Sequence, residues 1–330
     1  MPNRYFLTGA LGCIGAWVVK ALVDRGDEPV VFDRGTDVSR LRAIMDDEAV
    51  LRVQFVAGDI TDGRSVTEAL NRSGARRIIH LAGLQVPTCK ADPVAGALVN
   101  VVGTVNVFEA ARAVGIDRVV YASSAAVFGQ GEDDRLRDES APCEPTTHYG
   151  VFKRANEGNA RVYFLDCGIS SVGLRPFTVY GVGRDTGLTS DPTRAMKAAL
   201  LGRRLHIRWG GATDFQYVAD TAASFIAAAD RAPAGAHVFN LHGETIAVDT
   251  IVRTIDRHLP AAGRGLITFG GAAIPITPNL SDAAFRRTIA DLPVTPLDQG
   301  ISETIERFTL LRDAGRLDTR DIEETLAVGS

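Results

Sequence analysis

Apolar residues in the first half of the chain fall into two alternating patterns. Short β-branched runs read as strands at Arg4–Thr8, Pro29–Asp33, Leu51–Ala57, Arg76–Leu81, Arg118–Ala122 and Ser170–Leu174. Between them, apolar positions recur at helical spacing over Cys13–Arg25, Asp62–Arg72, Pro93–Val114 and Tyr149–Cys167. Strands and helices in turn predict an α/β fold, a parallel sheet with helices on both faces. Right-handed crossovers make such a sheet doubly wound.

Beyond Arg175 the pattern loosens. Pro176, Gly181, Gly183, Gly187 and Pro192 punctuate a loop-rich stretch. Helices are expected at Thr193–Leu201, Ala219–Arg231, Val248–His258, Ser281–Ala290 and Gly300–Arg312, and a strand at Arg204–Ile207. The chain is thus expected to divide into a sheet domain over 1–175 and a smaller, mixed region over 176–330. Residues from about 204 to 231 are expected to rejoin the sheet. The polar tail from Asp318 is expected to fray.

Composition narrows the partners. The 330 residues carry a formal charge of −4 and no long basic run, which argues against nucleic acid. Cys13, Cys89, Cys143 and Cys167 form no Cys-x-x-Cys pair, so free thiols are expected and no metal site. Tyr5–Val19 is uncharged and follows Arg4, as a secretory core would, but glycines interrupt it and Lys20 closes it. No other stretch approaches the ~20 apolar residues of a membrane helix. The expectation is a soluble, cytoplasmic protein.

Gly9, Gly12 and Gly15 lie between the first strand and the first helix. In that place the first glycine allows a tight turn, the second admits a pyrophosphate, and the third lets helix and strand pack closely. Backbone N–H groups at the helix start, around Cys13 and Ile14, then face the phosphates. Asp33 ends the second strand, where a carboxylate can accept both ribose hydroxyls of adenosine. A 2′-phosphate there would meet like charge, which favours NAD over NADP, although Arg34 is adjacent. Gly58-Asp59-Ile60 and Leu81-Ala82-Gly83 end the next strands on the same ligand-binding edge. The sheet is therefore expected to be of the Rossmann type, with NAD as cofactor.

Tyr149 and Lys153 share one helix face at i and i+4. Tyrosine titrates near ~10, so a base working near neutrality needs a drop of ~3 units, about 4 kcal/mol. A partly desolvated ammonium, together with the positive charge of oxidised nicotinamide, can supply it. Ser124, at the end of the fifth strand, is placed to hold a substrate oxygen while Tyr149 removes its proton.

Taken together, these residues resemble the extended short-chain dehydrogenase/reductase family, in its NAD-dependent epimerase/dehydratase branch. The matching motifs are Thr8-Gly9-Ala10-x-Gly12-x-x-Gly15, Asp59-Ile60, His80-Leu81-Ala82-Gly83, Asn100 with Gly103-Thr104, and Ser123-Ser124 with Val127-Phe128-Gly129. Tyr149-x-x-x-Lys153, Arg175-Pro176-Phe177 and Phe215-Gln216-Tyr217-Val218-x-Asp220 complete the set. The resemblance implies catalytic roles for Ser124, Tyr149 and Lys153. It implies an NAD site lined by Gly9, Gly12, Gly15, Asp33, Asp59, Ile60, Leu81, Ala82, Tyr149, Lys153 and Pro176. Cys13, Ile14, Arg34 and Gly83 adjoin that site, and Asn100 is expected beside it.

The departures matter equally. Dehydratases of the family carry an acidic pair after the serine, where this chain has Ala125 and Ala126. Nucleotide-sugar enzymes of the family carry Asn and Arg where this chain has Thr178 and Thr213, and no later Arg-x-Gly-Asp stretch is found. These losses point to an NAD-dependent oxidoreductase acting on a secondary hydroxyl of a small sugar, polyol or sugar acid. Gln85, Ser124, Thr178 and Arg184 are the candidate substrate contacts. Arg184 either binds a carboxylate or ties down its own loop. The alternative is a nucleotide-sugar epimerase with transient NADH and no net redox change. A more distant one is an NAD-sensing protein without turnover. Relatives commonly pair as homodimers through the helices around 93–114 and 149–167, where Val101, Val105, Phe108, Ala155 and Phe164 serve either an interface or, equally, the core of the subunit itself.

Overall fold

The computed structural model describes residues 2–130 and 135–323. The first half runs β1 (Arg4–Thr8), α1 (Cys13–Asp24), β2 (Glu28–Asp33), α2 (Ser39–Ile44), α3 (Asp47–Leu51), β3 (Gln54–Ala57), α4 (Gly63–Ser73) and β4 (Arg77–His80). There follow α5 (Val86–Ala91), α6 (Pro93–Ala97), a π-helical turn at Leu98–Val102, α7 (Gly103–Val114), β5 (Arg118–Ala122), α8 (His148–Cys167) and β6 (Ser170–Arg175). The remainder is β7 (Thr178–Tyr180), α9 (Asp191–Leu200), β8 (Leu205–Ile207), β9 (Ala212–Tyr217), α10 (Val218–Arg231) and β10 (Ala236–Asn240). It closes with β11 (Glu244–Ala247), α11 (Val248–His258), β12 (Ile267–Phe269), α12 (Ala283–Thr288) and α13 (Leu297–Asp313).

Seven parallel strands form the main sheet in the order β10-β6-β5-β4-β1-β2-β3. Alternation along β1 explains its two-sided burial. Tyr5 and Leu7 pack with Val31, Ile79, Val120 and α1 on one face. Phe6 packs with Val30, Phe32, Ile78 and helices α4 and α7 on the other. The chain crosses from one side of β1 to the other between β3 and β4, and a ligand site is expected at such a switch point, outside the carboxyl ends of the strands. Thr8 pairs with Phe32 and with His80, so these ends are level.

The return to the sheet begins within the stretch expected from sequence and ends beyond it. Helix α10 packs on α1, β4 and β5, and β10 then adds parallel to β6. The strand expected near 204–207 instead pairs with β12, away from the main sheet. Leu51–Ala57 is not one strand either. Asp46 accepts from Ala49 N (2.7 Å) and caps the short α3, leaving only Gln54–Ala57 extended. The apolar run Pro93–Val114 is, among the described residues, long and apolar enough to cross a membrane by length and composition. Its packing is that of a core helix, with Asn100, Thr104 and Phe108 buried against α4 and α8.

Candidate active site

The turn from β1 into α1 is shaped by glycine. Gly9 sits at φ 68°, and a Cβ there would lie 2.4 Å from Ala82 N. A Cβ on Gly15 would meet Ala10 Cα at 2.4 Å. Gly12 begins the helix with no side-chain cap, so the first N–H groups of α1 are free for an anion. At the end of β2, Asp33 accepts from Leu11 N (3.2 Å) and Gly35 N (3.1 Å), which holds its carboxylate beside the glycine turn. Asp59 accepts from Thr61 N and Oγ1 (2.9 and 2.8 Å), and these bonds keep its carboxyl below the usual range. Arg34 points outward and reaches Asp59 only at 4.0 Å.

One crevice of about 730 Å³ runs from this turn to the ends of β4, β5 and β6. Its walls include the glycine turn, Cys13, Ile14, Asp33, Arg34, Asp59, Ile60, Leu81, Ala82 and Gly83, then Gln85, Ser124, Tyr149, Lys153, Pro176 and Arg184. A glycine cradle, an uncapped helix start and a ribose-height carboxylate in one crevice fit a dinucleotide.

At the chemical end, Thr147 caps α8 by accepting from Gly150 N (3.1 Å) and sets Tyr149 in the first turn. Lys153 Nζ donates to Ala122 O (2.7 Å) and lies 5.5 Å from the Tyr149 ring centre. Burial pushes the Lys153 ammonium down to about 8. Desolvation raises the Tyr149 phenol above its ordinary value, opposed by a hydrogen bond with Ser124 and by the Arg184 charge. The downward pull assigned to Lys153 from sequence thus comes, in the cofactor-free crevice, from Ser124 and Arg184. Behind them His80 is held between Thr8 Oγ1 (2.6 Å) and Thr104 Oγ1 (3.0 Å). Burial and the Lys153 charge push its imidazole down to about 3, so it is neutral.

Two expected site residues are elsewhere. Asn100 lies one layer back from the crevice, in the π-helical turn. It donates to Leu84 O (3.2 Å) and Cys89 Sγ (3.3 Å). Its Oδ1 lies 2.6 Å from where a Gly83 Cβ would be, so it braces Gly83 and does not line the crevice. Thr178 is fully buried, and its hydroxyl is bonded to that of Thr213 (2.7 Å). Arg184 does line the crevice. It donates from Nη2 to Thr189 Oγ1 (2.8 Å), while its buried Nε has no partner.

Sequence reasoning missed a strap over the glycine turn. Arg40 donates to Leu11 O (2.8 Å) and, through Nε and Nη2, to both oxygens of Asp185 (2.8 Å each). Trp17 Nε1 donates to Val182 O (2.9 Å) beside it. Arg40 and Asp185 are 145 residues apart, so no local spacing marks them.

Comparison with known proteins gives consistent results. The family model described as NAD dependent epimerase/dehydratase family matches residues 5–241. A UDP-glucose 4-epimerase of Streptomyces lividans is 31% identical over 78% of this chain and 81% of its own. UDP-glucuronate 4-epimerase 4 of Arabidopsis thaliana is 28% identical over 92% of this chain and 74% of its own. The crystal structure of a Thermus thermophilus UDP-glucose 4-epimerase complexed with NAD superposes with a TM-score of 0.78 at 25% identity, covering 93% of this chain and 99% of that one.

Proposed function

The chain belongs to the NAD-dependent epimerase/dehydratase family, and from that premise we propose that it epimerises a secondary carbinol of a UDP-linked sugar without net redox change. It is an enzyme and its cofactor is NAD. The observation that carries the reading is the single crevice joining the glycine turn to Ser124, Tyr149 and Lys153. Similarity to the UDP-glucuronate 4-epimerase extends over 92% of the chain, hence through the C-terminal region that would hold the sugar nucleotide.

In this reading Ser124 Oγ holds the sugar hydroxyl and Tyr149 Oη takes its proton as C–H bond cleavage proceeds. NAD, bound against the glycine turn and Asp33, supplies the hydride acceptor and later the donor. Lys153 keeps α8 fixed to Ala122 O, and with oxidised nicotinamide bound its ammonium would add to the pull that Ser124 and Arg184 already exert on the phenol. The keto sugar then presents its other face, and Tyr149 returns the proton to the new alcohol. Arg184, whose Nε is unpartnered, faces an anionic group of the substrate, a carboxylate or phosphate.

The small-sugar dehydrogenase expected from sequence remains as a second reading on one observation. Thr178 and Thr213, at the two positions where nucleotide-sugar enzymes of the resembled family carry Asn and Arg, bond to each other. UDP-glucose, UDP-galactose and UDP-glucuronate, tested against free sugars, aldonic acids and uronic acids, separate the two. Isomerised UDP-sugar with no accumulating NADH supports the epimerase. Steady NADH release on free sugars, with UDP-sugars untouched, refutes it. Tyr149→Phe is expected to cost roughly 10²–10⁴ in rate, as loss of a positioned base does.

A homodimer fits the exposed faces of the helices around the site. Val94, Leu98 and Val102 recur every four residues at 71%, 47% and 41% exposure, and Val151, Val162 and Leu165 stand out from neighbouring α8. Of the residues offered for interface or core, Phe108 takes the core alternative, stacked on Tyr163. Sedimentation at monomer mass would refute the dimer.

A further inference from the structure

We propose that Glu157, clamped by Arg175, is a positioning residue that sets the height of α8 against the end of β5 and thereby the meeting of the Tyr149 and Ser124 hydroxyls. The proposal rests on the roles given above to Tyr149, Ser124 and Lys153. Tyr149, Lys153 and Glu157 follow at four-residue steps and so share one face of α8. That face meets three consecutive residues at the end of β5. Lys153 Nζ donates to Ala122 O (2.7 Å), Ser123 Oγ donates to Glu157 Oε1 (2.6 Å), and Ser124 lines the crevice beside Tyr149, whose phenol it pulls downward. Helix and strand end are fastened like a ladder; Glu157 itself lies outside the crevice, whereas Ser123 lines it.

That rung carries the most hydrogen bonds. Arg175 donates from Nε to Oε1 (2.7 Å) and from Nη2 to Oε2 (2.8 Å), and Arg154 Nη1 adds a bond to Oε2 (2.9 Å). The Glu157 and Arg175 side chains are 1% and 2% exposed. The guanidinium lies 4.8 Å from the centre of the Phe128 ring, and the next residue, Pro176, accepts from Ala125 N (3.0 Å) at the crevice wall. A buried ion pair is weak evidence for stability, because desolvation offsets its attraction. Four hydrogen bonds to one carboxylate do fix a geometry, and this carboxylate touches no reacting atom. A slip of α8 along its axis would part Tyr149 from Ser124, and misplacement by about 1 Å costs on the order of 10²-fold in rate.

Ser123→Ala removes the link between Glu157 and β5 and leaves the Glu157–Arg175 pair intact; because Ser123 also lines the crevice, Glu157→Gln, at a residue that does not, checks that the effect runs through the clamp. Glu157→Gln weakens the clamp itself. Both are compared with the parent on UDP-glucose or UDP-glucuronate for kcat, KM, the pH profile of kcat, bound NAD and thermal unfolding. For Ser123→Ala we expect parental NAD content, a fall in kcat of roughly tenfold and a KM within about twofold, the pattern of an interaction made in the transition state. The acid limb of the kcat profile should move to higher pH, because Tyr149 loses the hydrogen bond that lowers its pKa. Glu157→Gln should do the same where it folds, and Ser123→Ala decides alone where it does not. Parental kcat and pH profile in Ser123→Ala, or activity lost only in proportion to folded protein, overturns the proposal. Tyr149→Phe is the control. If it turns over like the parent, the catalytic reading fails. If it is inert while Ser123→Ala is parental, only the positioning role fails.

Discussion

Lys153→Met should kill the enzyme and yet, near neutral pH, leave the NAD-free protein at least as stable as the parent. Burial holds the Lys153 ammonium at about 8, against an ordinary 10.5. That gap of about 2.5 units is worth about 3 kcal/mol at 1.36 per unit. The folded pKa is the lower one, so the unfolded chain takes the proton first as pH falls. Stability contributed by this group is therefore intact above 10.5, is lost as pH falls toward 8, and is level below that. Methionine removes the titration but also the bond to Ala122 O, and a buried carbonyl left unpaired costs about 1–3 kcal/mol at every pH. The variant-minus-parent difference should then run from about −1 to −3 kcal/mol above pH 10.5 to about 0 to +2 below pH 8. Urea unfolding of both NAD-stripped proteins at steps across pH 7.5 to 10.5 measures it, and titrations common to both cancel in the difference. A difference that stays flat across that window refutes the reasoning, since the ammonium would then bear no strain at the site.

Other consequences can be checked directly. Gly15→Ala places a methyl 2.4 Å from Ala10 Cα, an overpacking worth about 1–3 kcal/mol, and calorimetry should show a lower Tm together with lost NAD binding. His80, held at about 3 in the folded state against 6.5 unfolded, should cost the protein up to about 1.36 kcal/mol per pH unit as pH falls between those values; His80→Asn should flatten that slope in acid unfolding. Asp185→Asn weakens the Arg40 strap, so NAD should leave faster in stopped-flow displacement, while the thermal midpoint of the NAD-free protein stays within a few degrees because the pair is partly exposed.

What was legible in the chain follows from the range of the interactions involved. The glycine turn, Asp33 and the Tyr149–Lys153 pair are each fixed by spacing within one strand–helix unit, and the structure brings them to one crevice. Strand β10 is different. Its five residues, Ala-His-Val-Phe-Asn, have little strand character of their own, and three are only half-buried. They become a strand because β6 has a free edge that α10 leads the chain back to. Asn100 was placed near the cofactor by motif alone. Its displacement to the second layer comes from the π-helical turn, which no apolar period reveals.

Thr178 shows how the same limit bears on substrate. By position it looked like a gap in a phosphate-binding set. Its partner in space is Thr213, 35 residues on, and the two hydroxyls, both fully buried, satisfy each other between β7 and β9. A buried hydroxyl left without a partner would cost about 1–3 kcal/mol, so each threonine supplies what the other needs. Neither hydroxyl lines the crevice, and recognition of an anionic substrate group then falls to the residues that do. Arg184 stands there with an unpartnered Nε and already pulls the Tyr149 phenol downward. An anion that engages Arg184 would weaken that pull, raising the proton affinity of Tyr149 as the substrate docks. On this reasoning Arg184→Met should raise KM far more for UDP-glucuronate than for UDP-glucose, by up to roughly 10²-fold for a charge-assisted bond of about 1.5–3 kcal/mol. Equal losses on the two substrates would put Arg184 on the diphosphate they share, and no loss on either would mean that the arginine only ties its loop to Thr189.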